Sequence, residues 1–486
     1  MGDMPSSKPE SVEAIGPVGV PPSSGGEGPP AVVAPKSSSP GESRWRVAGC
    51  FLLLLASIQL VLGPKIRLSQ WEAAAETNGR ISNAAIAEGV SWLNGRLDLP
   101  CEGDARDAGM RPHDTACFDG KVYNVFPPLL SILTVILSPL HTSLLHLPEG
   151  MWSPQTYVLL AFWSLPITGF VVFRRRVGDS AWAAVLTLAW MGGTAVLPNL
   201  NHARTAYLGE VNHVLSQIGL LILAADLLGR QRIWPGLLGL LIATYTRQIT
   251  FLYGVPLVWV AWRNGGFQRL ALCGVGLAVI ASPLLALNYM KFGNPLDFGY
   301  RFIYVGRENG PMGRRCLTYG TFSTRYLTGI DAYDPGNAYF LHLALPTIDV
   351  SELSLSGVPI RDRNGQGISL WITTPLALWV LIAVPRWWRD RKARVLMLST
   401  LPVMIGVLCY HSPGFLEHGY SRFALDFLPI WLVVIAPMTR GGWRTWLSLM
   451  MIAWSLLYFQ SIVPNAPVTR FASFAPAQTA ECHVEI

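Results

Sequence analysis

Charged side chains are scarce in this sequence of 486 residues. Asp, Glu, Lys and Arg make up 14% of it, whereas 51% of the residues are hydrophobic. Soluble domains carry about 25% charged residues, so this balance excludes an ordinary soluble protein. It is typical of many membrane-spanning helices, and the 18 Trp residues fit aromatic belts at the two membrane interfaces. The composition therefore predicts an all-α polytopic membrane protein.

The sequence also lacks two patterns that would have pointed to other functions. It has no internal repeat of the kind that transporters often display. It has no pair of His residues at the spacing of one helix face, since His141 and His146 are five residues apart. We therefore predict neither a metal site nor a cofactor.

The positive charge of the chain is distributed in a way that argues against nucleic-acid binding. The formal net charge is +7, but the basic residues lie in five short connections between apolar runs and do not form one patch. Short loops rich in Lys and Arg stay in the cytoplasm, so these clusters predict the orientation of the chain. The five clusters are Arg174–Arg176, Gly229–Arg232, Arg263 with Arg269, Arg386–Arg394, and Arg440 with Arg444.

About 20 apolar residues are needed to cross the hydrocarbon core. The apolar run at 126–147 decides the topology, because a span there would place the first basic cluster outside and invert every later one. We interpret it as an outer juxtamembrane helix, which puts the N-terminus inside and the C-terminus outside. The eleven predicted spans are 47–63, 152–173, 180–198, 211–228, 234–250, 251–262, 270–290, 368–385, 395–411, 422–438 and 443–463.

This topology divides the chain into three parts. Residues 1–43 are rich in Pro, Ser and Gly and are expected to form a disordered cytoplasmic tail. Residues 44–463 form the polytopic membrane domain, with large outer loops at 64–151 and 291–367. Residues 464–486 form an outer tail. The first apolar run lies far from Met1, which favours an uncleaved signal-anchor over a signal peptide.

Four of the seven Cys residues lie outside the predicted spans. They are Cys101, Cys117, Cys316 and Cys482. On an oxidising face these residues could form disulfides, with Cys101 and Cys117 as the most local pair, or remain free thiols. The sequence does not decide between these alternatives.

The first outer loop is rich in acidic residues, and two of them precede the juxtamembrane helix directly. Asp114 and Asp119 would be held at the membrane surface, where a carboxylate can take a proton from an acceptor hydroxyl. The alternative is that acidic residues simply keep an outer loop in water.

Arg247 stands between two long apolar runs, where an Arg in lipid costs about 2.5–3.5 kcal/mol on insertion scales. It should therefore face a cavity or a partner, and its planar guanidinium suits bidentate binding of phosphate. Alternatively, its side chain reaches the headgroup region. Glu210, at the outer end of a span, is either a cavity carboxylate or a solvated flank.

Four blocks of sequence resemble one membrane enzyme family. They occur in the family's order and together cover roughly residues 47–460. On these blocks the chain resembles the bacterial GT-C integral-membrane glycosyltransferases, the glycosyltransferase family 39-like group related to dolichyl-phosphate-mannose–protein mannosyltransferases. The blocks are His113–Asn124 followed by Phe126–Leu130, Asn288–Tyr300, Gly367–Trp371 with Pro375, and Gly419–Phe423 with Asp426–Pro429.

The resemblance implies a GT-C-like bundle of about eleven transmembrane helices with outer juxtamembrane helices and one large outer loop. It implies transfer of a sugar, with inversion, from a polyprenyl-phosphate donor to a protein, lipid or glycan acceptor on the outer face. Asp114 or Asp119 would then be the catalytic base.

The donor that the resemblance implies, and the charge and hydrogen-bonding groups of the side chains, suggest residues that could bind substrate. Arg247 and Arg422 are the candidates for the donor phosphate, and Glu210, Tyr123 and Tyr300 are candidates for further substrate contacts. The bacterial inner membrane is the expected location. The alternatives are a transporter or lipid flippase, and a catalytically inactive relative of the family.

Overall fold

The computed structural model of the chain describes most of the predicted membrane domain. The described residues are 42–63, 84–100, 114–143, 151–152, 154–205, 209–306, 308, 310–329, 337, 341, 347–348, 360–361, 368–412, 414, 422–463 and 472–473.

Helices dominate the described residues. In the first half they are α1 (Arg44–Val61), α2 (Ala84–Leu93), α3 (Leu129–Ser143), α4 (Pro154–Val177), α5 (Ser180–Gly192), α6 (Val196–Thr205), α7 (Gly209–Leu228) and α8 (Trp234–Thr244). In the second half they are α9 (Gly254–Phe292), α10 (Pro311–Tyr319), α11 (Leu370–Thr373), α12 (Trp379–Ile382), α13 (Val384–Arg389), α14 (Arg391–Leu408), α15 (Leu428–Ile435) and α16 (Trp443–Ile462). Short 3₁₀ segments lie at Gln248–Tyr253, Tyr300–Tyr304, Thr324–Leu327, Pro375–Leu378, Arg422–Asp426 and Ala436–Met438.

Among the described residues, five helical segments are long and apolar enough to cross a membrane. They are Arg44–Val61, Thr156–Val177, Glu210–Leu228, Gln248–Phe292 and Trp443–Ile462. This agrees with a helical membrane protein, but the predicted number of eleven spans is not confirmed. The predicted span 368–385, for example, is broken into short pieces at Pro375 and Pro385, because proline lacks a backbone donor and clashes with the preceding turn.

The longest helix, α9, consists of two antiparallel halves. Gly266 has φ 60° and ψ −154°, a backbone conformation that only glycine adopts readily. A methyl group on Gly254 would lie 3.0 Å from Leu277 Cδ2. Since these residues lie twelve before and eleven after the reversal, the two halves pack side by side. This reversal corresponds to the predicted boundary between spans 251–262 and 270–290.

Basic loops from three parts of the chain meet around Asp179, at the start of α5. Its carboxylate lies 3.1 Å from Arg440 Nη2 and 3.9 Å from Arg46 Nη2. Arg174, at the end of α4, lies 3.5 Å from the Glu42 carboxylate, which precedes α1. The loops before α1, between α4 and α5, and before α16 therefore share one end of the bundle.

The remaining basic loops join that same end. Lys392 Nζ donates to the Gly229 carbonyl at 2.8 Å, and Asn264 Nδ2 donates to Gln231 Oε1 at 2.7 Å. Arg176 interacts electrostatically with Asp390, which connects these loops to the group around Asp179. All five basic clusters thus lie together, as the positive-inside argument requires.

In the part of the chain that the structure describes, three short two-stranded sheets accompany the helices. The hairpin pairs β1 (Thr115–Phe118) with β2 (Lys121–Asn124), in a register that sets Thr115 opposite Asn124. Asp119 and Gly120 connect the strands with φ values of 50° and 69°, the positive values that a two-residue type I′ turn requires. The other sheets pair β3 (Met151–Trp152) with β6 (Ala472–Ser473), and β4 (Thr347–Ile348) with β5 (Ile360–Arg361).

The predicted juxtamembrane segment 126–147 contains helix α3. Its first residue, Leu129, donates its backbone N–H to the Tyr245 carbonyl at 2.9 Å, and its other face packs against α2. These contacts attach α3 to the end of α8. Its position at the outer membrane surface stays a prediction.

A close approach between the backbones of two helices gives a test of the packing. Helices α7 and α8 form an antiparallel hairpin, and a Cβ on Gly219 would lie 2.4 Å from the Gly239 carbonyl oxygen. Gly219→Ala is expected to lower stability by about 1–3 kcal/mol, because the two backbones must separate. Thermal unfolding in detergent would measure this change. Gly274→Ala, where a Cβ meets no atom within 4 Å, is the matched control and should leave the melting temperature almost unchanged.

Candidate active site

A buried ion pair lies at the end of the bundle opposite the basic loops. Arg247 follows α8, and its Nε and Nη2 atoms donate to Asp426 Oδ1 at 3.0 Å and Oδ2 at 2.7 Å. Asp426 is fully buried, and the Arg247 side chain is only 18% exposed. The expectation that an Arg at this position needs a partner is therefore met by a carboxylate from a distant part of the chain.

A second ion pair lies beside the first. Arg422 binds Glu210, which is fully buried at the start of α7. The Phe423 ring lies between the two arginines, with its centroid 4.9 Å from the Arg247 guanidinium carbon and 5.5 Å from that of Arg422. Glu210 is thus fully buried and ion-paired, so the alternative of a solvated flank is wrong, but it does not line the cavity described below and its contact with substrate stays a prediction.

The 3₁₀ turn Arg422–Asp426 supplies residues to both pairs and is fixed at its C-terminal end. Gln217 Nε2 on α7 donates to the Leu425 carbonyl at 2.6 Å, and the Tyr253 hydroxyl donates to the Asp426 carbonyl at 2.9 Å. These bonds hold the turn between α7 and the start of α9. The two carboxylates and two arginines are therefore set in place by the packing of the helices.

A cavity of about 250 Å³ opens beside Arg247. Its polar lining residues are Arg247, Gln248, Tyr300 and Tyr410. The rest of the wall is apolar and consists of Ile249, Phe251, Leu252, Phe298, Phe322, Gly406, Val407 and Phe423. Asp426 accepts hydrogen bonds from the Nε and Nη2 atoms of Arg247. The third nitrogen, Nη1, has no hydrogen-bond partner within the described part of the chain. The pocket thus combines a long apolar wall with one cationic donor.

Asp114 belongs to the same region. It lies directly before β1 with φ 57°, and its charge acts on both Tyr300 and His411. Burial raises the pKa of Tyr300, while the positive charge of Arg247 lowers it and Asp114 raises it. The phenol therefore remains protonated, and it donates to Gln248 Oε1 at 3.3 Å. Of the two acidic candidates for a base, Asp114 is the one whose charge acts on residues that line the pocket, Tyr300 and Tyr410.

Asp119 and Tyr123 do not reach the pocket. Asp119 occupies the hairpin turn, and the Tyr123 ring packs edge-on against Phe292 with centroids 5.6 Å apart. Burial raises the pKa of Tyr123 to about 12, and the charges of Asp98 and Asp119 add to this effect. Tyr123 is therefore a neutral packing residue in the structure, and its predicted contact with substrate stays a prediction.

The remaining predicted residues can be placed only in part. His113, His146, Cys101 and Cys482 lie outside the described residues. Among the described residues, no group of three or more His, Cys, Asp or Glu side chains could hold a metal ion. Asp426 and Phe423 were not predicted as site residues, although both lie in the last of the four sequence blocks.

A buried polar network attaches the hairpin to the end of α9. Lys291 binds the Glu88 carboxylate, and its Nζ atom also donates to the Asn124 carbonyl at 2.9 Å. Glu88 Oε2 accepts from Asn124 Nδ2 at 2.8 Å and from Ser131 at 2.5 Å. Since Asn124 lies opposite Thr115, this network also fixes the strand that follows Asp114.

Lys291→Met is expected to lower the free energy of unfolding by about 3–5 kcal/mol, because it leaves Glu88 buried without its counter-charge. Thermal unfolding followed by circular dichroism would measure the loss. The double change Glu88→Gln with Lys291→Met should recover part of it. Lys121→Met, at an exposed lysine in the same hairpin, should change stability by less than about 0.5 kcal/mol. An equal loss at Lys121 would contradict the account.

The chain shares local similarity with two curated proteins. Both are galactan 5-O-arabinofuranosyltransferases of Mycobacterium tuberculosis, from strain CDC 1551 / Oshkosh and strain ATCC 25618 / H37Rv. Each is 26% identical over 212 residues, which cover 41% of this chain and 29% of the relative. The chain therefore spans less than a third of the length of the curated relatives that it matches. No family model and no solved structure matches it.

These findings support a coarse assignment. The apolar helices indicate an integral membrane protein, and the distant relatives support a membrane glycosyltransferase. They do not show the specific family, so the resemblance to the family 39-like enzymes stays a prediction.

Proposed function

We propose that the protein transfers a sugar from a polyprenyl-phosphate donor to a hydroxyl group of an acceptor on the outer face of a membrane. One observation carries the proposal, namely the largely apolar pocket with Arg247 in its wall. An isoprenoid phosphate has the same two parts, an apolar chain and an anionic headgroup. The bacterial inner membrane is the proposed location.

The donor phosphate would be bound at Arg247. Because Asp426 fixes the guanidinium through two nitrogen atoms, Arg247 would lose little side-chain entropy when its third nitrogen binds the phosphate. The positive charge stabilises the phosphate as negative charge develops on it during the reaction. Gln248 and Tyr300 lie beside this position and can contact the sugar hydroxyls.

Asp114 would act as the general base. Its carboxylate takes the proton of the acceptor hydroxyl while the acceptor oxygen forms a bond to the anomeric carbon. The bond from the anomeric carbon to the phosphate oxygen breaks, and its electron pair leaves on the polyprenyl phosphate. Attack from the face opposite the phosphate inverts the configuration of the sugar.

The names of the relatives indicate which substrates to test first. We propose a furanose, such as arabinofuranose, as the transferred sugar and a glycan hydroxyl as the acceptor. The test is transfer of radiolabel in proteoliposomes, from polyprenyl-phosphate arabinofuranose and from a panel of other polyprenyl-phosphate sugars to a galactan oligosaccharide.

Label in the glycan that depends on the polyprenyl carrier would support the proposal, and a nucleotide sugar should give none. Folded protein that transfers label from no donor in the panel would contradict it. Movement of the labelled lipid across the bilayer without transfer would instead identify a lipid flippase.

A further inference from the structure

The outer segment Pro311–Leu327 presents apolar and cationic side chains together. Leu317 is 53% exposed and Phe322 is 57% exposed, and Arg314 and Arg325 are exposed near them. The segment contains no Asp or Glu. Neither Arg314 nor Arg325 forms an ion pair with any residue that the structure describes. A solvated loop has no need to expose two large apolar side chains beside uncompensated arginines.

The segment is attached to the end of a membrane helix. The backbone N–H of Ser323 donates to the Cys409 carbonyl at 2.8 Å, and the Phe322 ring packs on Tyr410 with centroids 5.4 Å apart. Both partners directly follow α14, at the end opposite the basic loops. Phe322 therefore lies at the level where α14 leaves the apolar part of the bundle.

Helix α14 has an exposed apolar stripe that leads toward this point. Leu398, Leu401 and Ile405 are all exposed, and their spacing of three and four residues places them on one face. In a membrane-spanning protein such a face contacts lipid. Phe322 and Leu317 add exposed apolar surface beyond the end of the stripe, and Arg314 and Arg325 are exposed in the same segment.

We propose that Pro311–Leu327 is an interfacial surface that binds anionic phospholipids. Leu317 and Phe322 enter the edge of the bilayer, while Arg314 and Arg325 bind headgroup phosphates, as in amphipathic helices that lie in the membrane plane. The Arg325 guanidinium stacks on the Tyr319 ring at 4.7 Å, which holds its plane in place and leaves its edges free to donate. The inference rests on the membrane location of the chain and not on sugar transfer.

The surface has a consequence for the pocket. Phe322 belongs to both, so an anionic lipid bound there would lie at the pocket mouth. Each basic residue near a membrane surface strengthens the binding of anionic lipid by about fivefold.

The test places a reporter on this surface. The chain is reconstituted in phosphatidylcholine vesicles after Leu317→Cys and attachment of a bimane fluorophore, and the signal of the labelled parent chain is subtracted. Quenching is compared between equal small fractions of phosphatidylglycerol and phosphatidylcholine that each carry a nitroxide near the headgroup. No donor sugar is needed, so a failed transfer assay leaves the result intact.

Labelled phosphatidylglycerol should quench several-fold more than labelled phosphatidylcholine. This preference should disappear after Arg314→Gln with Arg325→Gln, and at about 0.5 M salt, where charges are screened. Arg301→Gln is the matched control, because Arg301 is an exposed outer arginine already paired with Asp297 at 2.7 Å. The Arg301→Gln chain should keep the preference for phosphatidylglycerol.

Equal quenching by the two lipids in the labelled Leu317→Cys chain with both arginines present would overturn the anionic-lipid site. Absence of quenching by either lipid would show that the segment lies in water. If the Leu317 substitution disturbs the fold, both comparisons are repeated with a label at Thr318, the next exposed residue of the segment.

Discussion

Arg247→Gln is expected to reduce sugar transfer by about 100-fold to 1,000-fold, the usual effect of removing a donor that stabilises developing charge. It should also lower the free energy of unfolding by about 3–5 kcal/mol, because Asp426 would be left buried without its counter-charge. Initial rates in proteoliposomes and thermal unfolding in detergent would measure the two effects. They must be separated, since an unstable protein also loses activity.

The double variant Arg247→Gln with Asp426→Asn separates the effects. It removes both charges and leaves two polar amides that can bond to each other, so it should regain much of the stability that the single change loses. It still lacks the cationic donor in the pocket, and transfer should remain low. If the double variant regained both stability and transfer, the ion pair would be structural and Arg247 would have no part in binding the donor.

Arg247 also shows how far the sequence predicts this site. The cost of an unpaired Arg between apolar runs predicts that it needs a partner, and the structure provides one. The identity of the partner could not be predicted, because Asp426 is 179 residues away and meets Arg247 only through the packing of α7, α9 and α14. The local sequence shows that a charge will be buried and will need a partner. Which residue becomes that partner depends on the tertiary fold.

The basic loops were more predictable than the helices that connect them. Their common side follows from a rule about membrane insertion, and contacts such as Lys392 with Gly229 agree with it by placing these loops at one end of the bundle. The helices depend on local geometry that hydropathy does not report. Proline breaks the segment around Pro375, and the reversal at Gly266 depends on a glycine conformation, so runs of similar apolarity give helices of very different length.

The hairpin before α3 was missed although its signal is present. Asp119-Gly120 is a preferred pair for a two-residue type I′ turn, but the strands on either side have only four residues each. In a chain dominated by helices, a strand pattern over only four positions does not stand out. Recognising the turn would have assigned Asp119 a structural position and left Asp114 as the better candidate for the base.

This distinction between the two carboxylates leads to the sharpest test of the mechanism. Asp114→Asn is expected to lower the maximal rate of transfer by about 100-fold to 10,000-fold, because the amide cannot accept the proton of the acceptor hydroxyl. Asp119→Asn should leave the rate within about twofold, because Asp119 lies in the turn and not beside the pocket. Initial rates at saturating donor would measure both.

Both substitutions suit the backbone, which makes the pair well matched. Asp114 and Asp119 have φ values of 57° and 50°, and asparagine is one of the few residues that tolerate this region. Asparagine before Gly120 also forms the preferred type I′ turn, so the hairpin should persist in Asp119→Asn. A large loss of rate in either variant therefore reports on the carboxylate and not on the fold. Loss at Asp119 alone would move the base to the hairpin turn and require that turn to approach the pocket when the acceptor binds. Loss at neither would remove the general-base role from this loop altogether.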